Sequence, residues 1–152
     1  MLLLVIGLLI FLGLHSSRVF AEGLRANIIS TRGEKTWKGA FALLSLIGFV
    51  LLVVGYGRAR MDPVVLWLPP TWTRHATALL TLPAFILPAA AYVPKNAIKA
   101  KLGHPMLLGT KLWAAAHLLA NGNLADVLPF GGFLLWAILC FRAAKNGIAR
   151  RA

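Results

Sequence analysis

The apolar and polar positions of this chain fall into long blocks. Stretches without Asp, Glu, Lys or Arg run over 1–17, 39–57, 75–94, 112–125 and 127–141, and the charged residues gather between them. A helix needs about 20 residues, within a range of about 17–25, to cross the hydrocarbon core of a bilayer. The first three stretches meet that length as they stand. The fourth meets it when extended back to Pro105, with Lys111 reaching the headgroups along its own stem. The fifth meets it when Leu124, Asp126 and Arg142 lie at its ends. The pattern predicts an all-α integral membrane helical bundle of about five transmembrane helices, forming one transmembrane domain over 1–152.

Two features break the regularity. Pro83 and Pro88 fall inside the third span, where each removes a backbone donor and predicts a kink that opens space for a ligand. The segment Asp62–Trp72 is apolar, punctuated by Pro63, Pro69 and Pro70, and carries Trp67 and Trp72. It is expected to lie in the membrane interface as a lid.

Composition agrees with the blocks. The chain is 59% hydrophobic and 13% charged, against about 45–50% and about 25% in soluble domains. Disorder is excluded by the shortage of charge, and a soluble enzyme by apolar surface that so small a core cannot hide. The net charge of +12 comes from 16 Lys and Arg against Glu22, Glu34, Asp62 and Asp126. Thirteen of those cations fall on one side: Arg18, Arg25, Arg32, Lys35, Lys38, Lys95, Lys99, Lys101, Lys111, Arg142, Lys145, Arg150 and Arg151. Arg58, Arg60 and Arg74 fall on the other. The asymmetry predicts an N-terminus outside and a C-terminus in the cytoplasm, and it accounts for the basicity without nucleic acid. No basic region precedes the first apolar stretch, so it reads as a retained helix rather than a signal peptide. Cys140 stands alone and implies no intramolecular disulfide.

The polar chemistry therefore rests on His15, His75, His104 and His117. Neither Asp62 nor Asp126 falls inside a span, so no Ser-His-Asp set is readable, and the common zinc motifs do not occur. His15 and His117 lie at hydrocarbon depth, where an ionisable residue marks a candidate site. Each has a plainer explanation, a hydrogen bond to a nearby backbone carbonyl. His75 and His104 open helices, where water or headgroups satisfy them. Haem ligation is the sharper alternative, since neutral imidazole is a common axial ligand and helical bundles are common haem scaffolds. Arg18, on the face of His15, either meets a haem propionate or marks the helix end. At 1.5 Å per residue, His15 lies about 9 Å and His117 about 18 Å from the inner face. His15 with His117, His15 with His104, and His75 with His117 all remain open as ligand pairs.

The motifs carry a resemblance. His15-Ser16-Ser17-Arg18, Trp37-Lys38-Gly39, Gly55-Tyr56-Gly57, Thr71-Trp72-Thr73-Arg74-His75 and Tyr92-Val93-Pro94 resemble the NnrU family of bacterial membrane proteins. So do Gly103-His104-Pro105-Met106-Leu107-Leu108-Gly109 and the run from Leu112 to Gly122 around His117. The family is associated with denitrification, through production of nitrite and nitric oxide reductases. It is similar to the plant 15-cis-zeta-carotene isomerase, a membrane haem b protein. The resemblance implies haem b, with His15 and His117 as iron ligands; Arg18 and His104 stand beside them as candidate cofactor-binding residues. The plant enzyme has a Cys three residues before its second His. Ala114 stands there in this chain, so a thiolate ligand exchange is not implied.

The expected function is a haem b protein of the bacterial inner membrane, with a redox or nitric-oxide-linked role in denitrification. Its partners would be lipid and a hydrophobic small molecule or nitric oxide. Alternatives are haem-dependent cis-trans isomerisation of a polyene and a haem-free scaffold. A membrane methyltransferase is a weaker one, because Gly103 and Leu107 replace the Arg and Tyr of the similar isoprenylcysteine methyltransferase segment.

Overall fold

A computed structural model describes residues 1–146, Arg18 by its backbone alone. The Arg18 side chain, and Arg150 and Arg151 of the tail, lie outside the described residues. Among the described residues seven helices follow one another: α1 (Leu2–Phe20), α2 (Glu22–Arg32), α3 (Glu34–Ala59), α4 (Trp72–Tyr92), α5 (Ala97–Leu102), α6 (Pro105–Ala120) and α7 (Leu124–Lys145). No strand occurs among the described residues, so the fold is all-α as the pattern predicts. Helices α3, α4 and α7 are long and apolar enough to cross a membrane. The first two helices, bent by 77° at their junction, add a fourth span if counted as one. Helix α6 starts at Pro105 as expected, but its 16 residues extend about 24 Å, short of a hydrocarbon core about 30 Å thick. The described residues thus hold three to four candidate spans, where the sequence pattern predicts about five.

Packing divides the chain into two compact units. The first holds Met1–Asp62 and, among the described residues, 143–146. Within it, α1 lies along α3 at backbone contact, because glycines face the neighbouring helix. A Cβ at Gly7 would run into Leu52 N, and one at Gly55 into Leu4 N. Small residues that let backbones approach drive helix association in lipid, where burial of apolar surface offers little advantage. Leu4 is fully buried there, while Leu43, Leu46 and Val53 lie on an exposed face of α3. That outer face suits hydrocarbon rather than water.

Helix α1 stops at Ala21, whose N–H donates to Ser17 O, and the chain turns directly into α2. Leu24, Ile28 and Ile29 recur at helical spacing among Arg25, Asn27, Ser30 and Arg32, so α2 is amphipathic. Gly33, at φ +87°, ends it in a conformation that favours glycine.

The second unit spans Pro63–Arg142. Here α4 lies along α6. Both Pro83 and Pro88 sit within α4 without ending it. Pro88 leaves the Ala84 carbonyl without its helical donor, and Gly109 of α6 packs against this break. A Cβ at Gly109 would lie 2.7 Å from Ala84 O and also overlap the Pro88 ring. Thr77 Oγ1 donates to Ala116 O across the same interface at 2.6 Å. Thr77→Val should lower stability by about 1 kcal/mol, the usual scale for a hydrogen bond between membrane helices, read by denaturant titration in detergent. Helix α7 joins through aromatic contacts, with Trp113 edge-on to Phe130 at 5.1 Å and to Phe133 at 5.7 Å.

The segment expected as a lid is clasped by main-chain bonds to the α6–α7 connection. Leu66 and Trp67 N–H both donate to Gly122 O, at 2.7 and 3.2 Å, and Leu124 N–H donates to Val64 O at 2.8 Å. Val65 and Asn123 form an isolated antiparallel bridge. Gly122 is required by proximity, because a Cβ there would overlap Trp67 O.

Candidate functional site

Each unit carries one of the two deep histidines. His15 is half-buried on α1, and its Nδ1 lies 2.7 Å from Phe11 O. His117 is half-buried on α6, with Nδ1 2.9 Å from Trp113 O. A carbonyl only accepts, so Nδ1 carries the proton in both rings, and the neutral imidazole keeps its lone pair on Nε2. This is the carbonyl bond of a structural histidine. It is also the bond by which a metal-ligating histidine fixes its tautomer and orientation.

Aromatic rings hold both imidazoles in place. His15 lies 4.2 Å from the Phe11 ring and 5.2 Å, edge-on, from Phe41 of α3. His117 stacks on Phe130 of α7 at 4.7 Å and meets Trp113 at 5.2 Å. Such ring contacts fix the orientation of both imidazoles.

The other two histidines sit differently. His104 is the residue before α6 and makes no capping hydrogen bond, and its ring meets Phe141 edge-on at 6.1 Å. His75 is exposed in the first turn of α4. Among the described residues, no group of three or more His, Cys, Asp or Glu is placed to hold a metal ion.

Two cavities accompany the deep histidines. In the first unit, a cavity of about 310 Å³ is lined by His15, Ser17, Arg25, Trp37, Lys38 and Phe41. Its walls combine an imidazole, two aromatic rings and two cations. In the second unit, an apolar cavity of about 310 Å³ opens at the Pro88 break, lined by Ala84, Phe85, Gly109, Trp113 and Phe133. Trp113 ties this cavity to His117, since its ring lines the one and its carbonyl orients the other. Both volumes lie at the lower end of ligand cavities, about 300–1,000 Å³. Ala114, at the position of the plant enzyme's Cys, is fully buried.

Sequence reasoning singled out the two imidazoles but gave Arg25 only to the charge count, and Lys38 to that count and the Trp37-Lys38-Gly39 motif. Their approach to His15 depends on the turn between α1 and α2, which no run of apolar residues announces. The Trp37-Lys38 pair opening the second apolar stretch was the one available signal.

A model of the NnrU family, described as NnrU protein, matches residues 3–151. No curated protein and no solved structure matches the chain.

Proposed function

Because the chain belongs to the NnrU family, we propose that it is a haem b protein of the bacterial inner membrane, acting in redox or nitric oxide chemistry linked to denitrification. The observation that supports this most is the shared geometry of His15 and His117. Both protonate Nδ1 toward a carbonyl of their own helix and leave Nε2 as a lone-pair donor. Neutral imidazole in an aromatic surrounding is the donor that haem iron takes, so these residues fit the group. Haem iron, when bound, supplies a redox centre that binds nitric oxide or polarises a double bond. The chain's part is to hold the ligating nitrogens, exclude water with Phe11, Phe41, Trp113 and Phe130, and keep Nδ1 protonated.

The test is the absorption spectrum of detergent-purified protein, oxidised and dithionite-reduced, with and without nitric oxide. A b-type Soret and α-band at near-stoichiometric haem is expected. A nitric oxide shift would mean an accessible iron, and none a closed one. His15→Ala and His117→Ala should each lose haem or shift the bands, whereas His75→Ala should keep full haem content. An unchanged spectrum in a folded His15 or His117 variant removes that residue from the site. Absence of any Soret band, with haem supplied during expression, overturns the reading and leaves a scaffold.

A second reading, isomerisation of a polyene, is favoured by one observation. The apolar cavity at the Pro88 break shares Trp113 with the His117 surroundings, which suits an apolar chain lying beside a ligated imidazole. The orientation that the cation asymmetry predicts, with the C-terminus in the cytoplasm, is part of the same proposal.

A further inference from the structure

We infer that Arg25 and Lys38 are the partners of the haem carboxylates, an inference that rests on the haem reading above. Haem b is an apolar macrocycle with two propionates on one edge. A site for it needs an imidazole and flat apolar walls for the ring, and cations at one rim for the carboxylates. The cavity of the first unit assembles that set from three helices. His15 comes from α1, Trp37, Lys38 and Phe41 from α3, and Arg25 from α2. The turn at Ala21 brings α2 back to α3, and without it Arg25 would lie off the end of α1.

Both cations are oriented yet keep donors to spare. Arg25 Nη1 bonds Glu22 Oε1 at 2.6 Å with both side chains about 30% exposed (29% and 30%), so one of five guanidinium donors is used. Lys38 Nζ meets Glu34 Oε1 at 2.8 Å with the two side chains 71% and 64% exposed. A pair that open to solvent is held weakly and exchanges readily for a ligand carboxylate. The sequence offers Arg18 either for this role or as a helix-end marker, and its side chain lies outside the described residues. Arg25 and Lys38 line the cavity itself.

The experiment compares haem b with haem b dimethyl ester, which keeps the iron and the ring but loses both charges. Each is titrated into purified apoprotein in detergent and followed by the Soret band. The wild type should bind haem b about tenfold more tightly than the ester, a difference of about 1.4 kcal/mol. In Glu22→Gln/Arg25→Gln/Lys38→Gln the preference should fall to nearly onefold. The Glu22 change avoids leaving a half-buried carboxylate without its partner. Lys38→Gln alone, at an exposed helical position, should remove about half of the preference on a logarithmic scale, and it keeps the test valid if the triple variant does not fold. Equal preference in wild type and variants, or none in the wild type, overturns the inference while the haem reading stands. Failure of the wild type to bind either porphyrin overturns the haem reading and the inference together.

Discussion

Gly55→Val should separate α1 from α3 and cost at least about 3 kcal/mol, the upper range for overpacking a close interface. The new side chain has no direction in which to yield. Its Cβ alone would sit 2.6 Å from Leu4 Cα and 2.7 Å from Leu3 C, so it meets backbone rather than the tip of a flexible side chain. Gly48, two helical turns earlier on α3, faces Ile10 and Phe11 in the same way, so the helices cannot tilt about Gly55 without losing that second contact. Titration with a denaturing detergent, followed by Trp fluorescence, measures the loss. Gly57→Ala provides the opposite sign: nothing lies within 4 Å of its Cβ position, and helix propensity favours Ala by up to about 1 kcal/mol. Equal stability of Gly55→Val and wild type would mean that the two helices do not meet at backbone contact. The effect should extend to the site, because His15 on α1 meets Phe41 on α3.

Gly122→Val should open the clasp between residues 64–67 and 122–124. The added side chain would overlap Trp67 O and approach its Cδ1 to 3.1 Å. Three main-chain bonds depend on that approach, from Leu66, Trp67 and Leu124. At about 1 kcal/mol each, their loss amounts to about 3 kcal/mol. Hydrogen exchange of the Leu66 and Trp67 amides should then accelerate by about a hundredfold, while amides in the middle of α4 keep their protection. Unchanged protection at Leu66 and Trp67 would sink the expectation. The clasp is also adjacent to the end of α6, one turn beyond His117, where Asn121 Nδ2 donates to His117 O at 2.8 Å. Opening it should therefore loosen the backbone that carries the second imidazole.

Charge-free runs mark long apolar helices, and α1, α3, α4 and α7 lie where 1–17, 39–57, 75–94 and 127–141 place them. The same criterion passes over α2 and α5, because each carries charges within its length. Other signals for them were present. Leu24, Ile28 and Ile29 have helical spacing. Asn96 before α5, which accepts from Lys99 N–H at 2.8 Å, and Gly103 after it, at φ +70°, are ordinary start and stop residues. The length of α6 was overestimated because its apolar run continues through Asn121-Gly122-Asn123, where the backbone turns away to meet Val64–Trp67. Such a partner is remote in sequence, and periodicity carries no information about it. The sequence offered His15 and His117 through their expected depth, and it did not show the tautomers, since these depend on which carbonyl each ring meets.

The clasp also sets an order of events during synthesis. Val64–Trp67 emerges before α4, α5 and α6, and its main-chain partners at Gly122 and Leu124 emerge after them. Until then Leu66 and Trp67 have only solvent or lipid headgroups to satisfy their amides, and Gly122 cannot yet receive them. Contacts that join distant parts of a chain form late, because the intervening loop must first be closed. Closure at this point thus acts as a completion mark, reached only by a chain already made through the start of its last long helix. Products truncated before Gly122 would keep this segment open to proteases, and would be told apart from the finished protein on that basis.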